Sequence, residues 1–182
     1  MYCQLERLRH CIPASIRLIL SELPSTLDGT YERVLQDIRE DNWEYARRLF
    51  QCLIAASRPL RVEELAEVLT LRFDRGTIPE LEECWRPEDD EGAVMSTCSS
   101  LITIVKSHGS RLVQFSHFSV KEFLTSTRLA TKEGILRYHI HLQPAHTLLA
   151  RASLGVLLHL DSRVDKDSVK KFPCSLCCST LG

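Results

Sequence analysis

The sequence predicts a mainly α fold carrying one small β-hairpin, and three observations lead there. Apolar residues recur at i, i+3, i+4 and i+7 in several stretches before Cys98. That period gives way once, at Leu101-Ile102-Thr103-Ile104-Val105 and Arg111-Leu112-Val113-Gln114-Phe115, to β-branched runs on either side of a polar turn, Lys106 to Ser110, that contains Gly109. Helical spacing and capping residues then resume to about Leu160. With 182 residues, 44% of them hydrophobic, the chain can bury a core without disulfides or a metal.

Residues 4–21 read as helical with a break at Pro13, and Leu23-Pro24-Ser25 stops them. Ser25 to Asp28 offer capping oxygens ahead of Tyr31, Val34, Leu35 and Ile38, which share one face of a short amphipathic helix. Asp41-Asn42-Trp43-Glu44 has capping-box spacing before the stripe Ala46, Leu49, Phe50, Leu53 and Ile54, predicting a helix to about Ser57. Pro59 ends it, Leu60-Arg61 make one extended step, and Val62, Leu65, Ala66 and Leu69 define the next helix. Residues 74–86 read as a loop. Pro87 suits a first helical position, and the carboxylates after it favour a helix from there to Cys98. After the hairpin, Ser119 and Glu122 have capping-box spacing before Phe123 and Leu124, and Pro144 is expected to open the last helix. Helix, helix, helix, hairpin is the order of a winged helix. The expectation is a winged-helix domain over 40–127 flanked by helices: a helical linker over 1–39, a helical segment over 128–160, and a disordered cysteine-containing tail over 161–182.

Composition and spacing exclude several function classes. Lys and Arg number 23 against 24 Asp and Glu, a net charge of -1, so no bulk field gathers nucleic acid or an anionic membrane. Glu6, Arg7 and Arg9 stand where a secretion signal needs apolar residues, and the apolar stretch from Thr147 to Leu160 is too short to span a bilayer. A cytoplasmic address with reduced cysteines and no stable membrane association is therefore expected. The glycines, at 29, 76, 92, 109, 134, 155 and 182, never cluster, which excludes a P-loop and a dinucleotide fingerprint. No G-x-S-x-G elbow and no H-E-x-x-H occur, so no catalytic residue is assigned.

The third helix of a winged helix normally enters the major groove, and here it begins Pro87-Glu88-Asp89-Asp90-Glu91 with no Lys or Arg through Cys98. Phosphates would repel it, and the turn's Lys106, His108 and Arg111 compensate only in part. DNA binding remains the second reading, and no nucleic-acid partner is expected. Cys174, Cys177 and Cys178 contain one C-x-x-C without a second ligand pair, so no metal site is assigned; their prenylation fails on spacing, and palmitoylation beside Lys170 and Lys171 stays open. His139, His141 and His146 form at best a weak ligand set. His117 stands at the junction of the hairpin and the next helix, where a structural role is the ordinary reading.

Four blocks resemble a known family in order: Leu23-Pro24-Ser25-Thr26-Leu27-Asp28-Gly29-Thr30-Tyr31-Glu32-Arg33-Val34-Leu35, Arg58-Pro59-Leu60-Arg61-Val62-Glu63-Glu64-Leu65-Ala66, Cys98-Ser99-Ser100-Leu101-Ile102 and Phe115-Ser116-His117-Phe118-Ser119-Val120-Lys121-Glu122-Phe123-Leu124. Over about residues 3–161 the chain is similar to the winged-helix region, labelled the GPI inositol-deacylase winged-helix domain, that follows the NACHT ATPase module in fungal NACHT–ankyrin proteins, NLR-like STAND ATPases. Deacylases of that name use a lipase serine elbow in a different domain. The F-x-H…E-F pattern of the superfamily implies that His117 contacts the β-phosphate of ADP and holds a closed resting state. The chain departs from the family in lacking Walker motifs and in carrying the tail after Asp161 where ankyrin repeats are expected. The contact therefore requires a NACHT module supplied in cis or in trans, and the chain itself has no cofactor.

The resemblance implies a non-enzymatic regulatory and protein-interaction domain. Residues 1–39 become the linker after a NACHT module, and the chain reads as a truncated or fragmentary member. The alternatives are a winged-helix DNA-binding module and a decoy adaptor competing with full-length NACHT proteins.

Overall fold

The computed structural model describes residues 26–74, 76–107 and 109–167. The expected helix over 4–21 and the tail cysteines Cys174, Cys177 and Cys178 lie outside them. The first helix, α1 (Leu27–Gln36), is capped by Thr26, whose Oγ1 accepts from the Gly29 N–H at 3.1 Å. The next helix, α2 (Trp43–Ala55), does not start on a capping box. A 3-10 turn, Glu40–Asn42, precedes it, and the Asp41 carboxylate accepts from Arg39 at 2.7 and 3.1 Å instead of capping. The neighbouring guanidinium outcompetes the backbone for that carboxylate and holds it below its ordinary range.

After Pro59 come β1 (Leu60–Arg61) and α3 (Val62–Leu69), as expected. The stretch 74–86 is more than a loop. Two short strands, β2 (Leu71–Arg72) and β3 (Glu80–Leu81), pair antiparallel with Leu71 opposite Leu81, and Arg72 donates to Glu82 at 2.7 Å. A 3-10 turn, Glu83–Trp85, follows. The third helix, α4, runs Asp90–Cys98 rather than from Pro87. Asp89 starts it, since its carbonyl accepts the first helical bond from Ala93 at 2.9 Å.

The hairpin strands β4 (Ile102–Ser107) and β5 (Ser110–Phe115) are joined through residues 108–109 alone, with Gly109 at a φ of 78° that favours glycine. Because β1 adds to β5, pairing Leu60 with Val113, the sheet order is β1-β5-β4. Three helices with this sheet form a winged helix, mainly α around one small antiparallel sheet.

Beyond it lie α5 (Phe118–Thr125), α6 (Thr127–Ala130), a long 3-10 turn Glu133–Tyr138, and α7 (Leu142–Asp167). Pro144 sits inside the first turn of α7 rather than opening it, which is tolerated because N–H groups there have no intrahelical partner. The last helix also continues past Leu160, correcting the expectation that 161–167 are disordered. Asp161 to Asp167 contain neither Gly nor Pro to stop it. One hydrophobic core joins all of this, from Tyr31 and Leu35 through Phe50, Leu65, Val113 and Phe123 to Tyr138, Ala145 and Ala152.

Candidate functional site

β5 ends at Phe115 and α5 begins at Phe118, so Ser116 and His117 form the joint between wing and helix. Ser116 is tied to the residue that leads into the other hairpin strand, because both its N–H and its Oγ donate to the Leu101 carbonyl at 2.9 and 3.2 Å. His117, extended at φ -151° and ψ 146°, is the N-cap of α5. The capping box expected from Ser119 and Glu122 is not used. The imidazole takes the place of the usual short capping oxygen, with the Ser119 N–H donating to Nδ1 at 3.3 Å.

A backbone N–H can only donate, so with Nδ1 as its acceptor the ring's available donor is Nε2. Ser119 Oγ lies 2.6 Å from the same Nδ1 and 2.7 Å from the Tyr31 hydroxyl. The relay therefore runs from Tyr31 O–H to Ser119 Oγ and from Ser119 O–H to His117 Nδ1. Nε2–H has no partner among the described residues and faces outward on an exposed side chain. Beside it the Phe118 ring, 71% exposed, lies 4.4 Å from the imidazole between centroids. The arrangement presents one aimed hydrogen-bond donor flanked by an apolar ring, which suits an anionic or carbonyl oxygen arriving from another molecule or domain.

The far end of the relay is fixed by packing. Tyr31 is 4% exposed and its ring stands 5.6 Å from Phe123 of α5. Asp28 pairs with Arg128 at 2.7 Å and Glu32 with Lys132 at 3.3 Å, so α1 is clipped along the α5–α6 side. Reasoning from the sequence found His117 but missed Tyr31 and Ser119 as its support. Eighty-eight positions separate those two, and no local spacing signals the contact.

The wing offers little free positive charge. Arg111 donates to Glu63 of α3 at 2.7 Å and to Glu91 of α4 at 3.1 Å, and this guanidinium holds the Glu63 carboxyl below its ordinary range. Its charge is taken up by two carboxylates, one of them on the acidic helix α4 that would have to meet phosphate. An open cleft of about 620 Å³ between α2 and the β2 end has the same character: Arg48 stacks 4.7 Å from Phe73 and pairs with Glu44, and Arg72 pairs with Glu82 and Asp74.

Cys52, Cys84 and Cys98 are free. Burial pushes the Cys52 thiol up to about 12 and Cys98 higher still, which leaves both as small core hydrophobes without thiolate chemistry. His139 and His141 stand edge to face at 4.5 Å, and no group of three or more metal-ligating side chains occurs among the described residues. Among the described residues no helix is long and apolar enough to cross a membrane.

The model of the GPI inositol-deacylase winged helix domain matches residues 31–135, which contain the whole three-helix and hairpin unit together with Tyr31, His117 and Ser119. The chain is also similar to the azaphilone pigments biosynthesis cluster protein L of Monascus ruber, with 32% identity over 163 residues. That alignment covers 86% of this chain and 34% of the relative, so the chain spans about a third of the relative's length. No solved structure matches the chain. With more than half of its residues inside the family's bounds and the β1-β5-β4 sheet in place, the chain belongs to the GPI inositol-deacylase winged-helix domain family.

Proposed function

We propose that this chain is a non-catalytic regulatory and protein-interaction domain of an NLR-like STAND signalling protein. It docks on a NACHT ATPase module, in cis or in trans, through the joint at His117. The observation that carries the reading is the relay Tyr31–Ser119–His117, which engages Nδ1 and leaves Nε2–H facing outward. A donor fixed in this way costs little ordering on contact with a diphosphate oxygen, and it gains a charge-assisted bond there. The chain has no glycine-rich loop of its own, so phosphate affinity has to come from the ATPase module, with His117 adding selectivity for the closed, ADP-bound arrangement. The greater length of the Monascus ruber relative supports a domain that works inside a longer polypeptide. The DNA-binding reading is disfavoured by Arg111, held by Glu63 and Glu91.

Calorimetric titration of this chain into the NACHT module of a full-length relative tests the proposal. Association is expected to be about tenfold tighter with ADP than with a non-hydrolysable ATP analogue, a coupling of about 1.4 kcal/mol. Equal affinities in the two nucleotide states would contradict it.

A further inference from the structure

The first helix reaches the wing-to-helix joint through the Tyr31 hydroxyl. The Tyr31 ring is buried against Phe123, where a hydroxyl without a partner is costly, and among the described residues its partner is Ser119 Oγ at 2.7 Å. Ser119 also serves the imidazole. Its Oγ accepts from Tyr31, which leaves its single hydrogen for Nδ1 of His117 at 2.6 Å. That is the short bond on the ring. The other hold, the Ser119 N–H at 3.3 Å, is long for a hydrogen bond and orients the ring weakly by itself. The neighbouring Phe118 ring is itself exposed and gives no anchor. An exposed side chain without a firm contact changes rotamer within nanoseconds, so the aim of His117 depends on Ser119 and, through it, on Tyr31. Along its polar edge α1 is clipped by exposed ion pairs, Asp28–Arg128 and Glu32–Lys132, which add little to its docking. Tyr31 and the buried Leu35 are left to seat it.

We infer that Tyr31 and Ser119 are positioning residues that couple the seating of α1 to the aim of the His117 donor. With α1 seated, the tyrosine donates to the serine and the serine to Nδ1, each bond polarising the next, and Nε2 is held toward an incoming oxygen. With α1 displaced, Ser119 loses its donor, its hydroxyl turns to water, and the imidazole swings on the long backbone bond alone. Coupling of this kind is reciprocal. An oxygen that fixes the imidazole favours the seated α1, and a pull on α1 lowers affinity for that oxygen. The hydrogen bonds carry the inference; only the identification of the oxygen as a diphosphate's rests on the function proposed above.

Three-bond NMR couplings about χ1 of His117, measured on the full 182-residue chain, test the inference. The wild type is expected to show one staggered rotamer although the side chain is exposed. Tyr31→Phe keeps the ring on Phe123 and removes only the oxygen, and it is expected to lower the ratio of that rotamer to the others about fivefold, the worth of one hydrogen bond. Ser119→Ala is expected to lower it at least as far. Val62→Ala truncates a fully buried residue of α3 outside the relay and is expected to leave the couplings unchanged, which separates positioning from a general loss of stability. Rotamer averaging in the wild type, or wild-type couplings in Tyr31→Phe, overturns the inference. Calorimetry with the ADP-loaded NACHT module keeps this result apart from the functional reading, with Tyr31→Phe expected to bind about fivefold more weakly than wild type. A wild type indifferent to nucleotide sinks the functional reading and leaves the couplings to decide this one. A wild type that prefers ADP, beside a Tyr31→Phe of equal affinity, overturns the positioning role alone.

Discussion

Phe50→Ala is expected to lower the melting temperature by roughly 10 °C, the equivalent of about 4 kcal/mol. Phe50 is fully buried on α2, and its ring stands 6.3 Å from Phe115 on the wing and 6.4 Å from Tyr138 in the long 3-10 turn. It joins the winged helix to the segment that follows. Truncation removes two aromatic contacts and opens a cavity where neither the hairpin nor the turn can close in without moving the other. Phe118→Ala removes a ring of the same size from an exposed position and is expected to change stability by less than about 0.5 kcal/mol. Thermal denaturation of the two variants side by side checks this, and a shift for Phe50→Ala as small as that of Phe118→Ala would contradict the core described here.

Gly155→Val carries the second large expected effect, a loss of about 3 kcal/mol concentrated on the docking of α7. A Cβ at Gly155 would lie 2.7 Å from the Pro79 carbonyl oxygen and 3.0 Å from its Cγ. Those atoms belong to a buried residue of the backbone turn before β3 and cannot swing aside as a flexible side-chain tip would. The helix is otherwise held there by Arg151 on the Thr77 carbonyl at 2.7 Å and by the 2.9 Å contact of His159 with Glu83. Glycine inside a helix costs roughly 1 kcal/mol against alanine, so a glycine at 155 is explained by the close approach of Pro79, which outweighs that cost. Limited proteolysis is expected to cut the variant within residues 155–167 well before the wild type. Equal protection of the two would show that α7 tolerates a side chain at this crossing.

Much of the fold is legible in the sequence because its elements carry a period. The stripe from Ala46 to Ile54 and the set Val62, Leu65, Ala66 and Leu69 mark α2 and α3, and the β-branched runs around Gly109 mark the hairpin. The β2–β3 ribbon is not legible, since strands of two residues have no alternation to detect; only the pairing of Leu71 with Leu81 and of Arg72 with Glu80 across the intervening loop makes them strands. Capping signals mislead where a stronger local partner competes, as Arg39 does for Asp41 and as His117 does for the role the Ser119 and Glu122 spacing suggests. The limits of α7 are blurred by its second apolar row, which hides the one-sided stripe expected of a surface helix. At the site, His117 is visible through the F-x-H pattern, whereas its orientation depends on Tyr31, brought in by tertiary packing from α1.

If the imidazole at the joint of wing and helix reads the nucleotide state of an ATPase module, its removal has to show in binding. Calorimetry of His117→Ala against wild type, each titrated into a NACHT module loaded with ADP, measures that loss. The ring is exposed and its loss leaves the core intact; losing the α5 cap is expected to cost about 1 kcal/mol, small enough that the folded population stays near that of the wild type by circular dichroism. Association in ADP is expected to weaken about tenfold, with the difference between ADP and the ATP analogue abolished. Wild-type affinity and an undiminished nucleotide dependence in the variant would contradict the proposed role of His117.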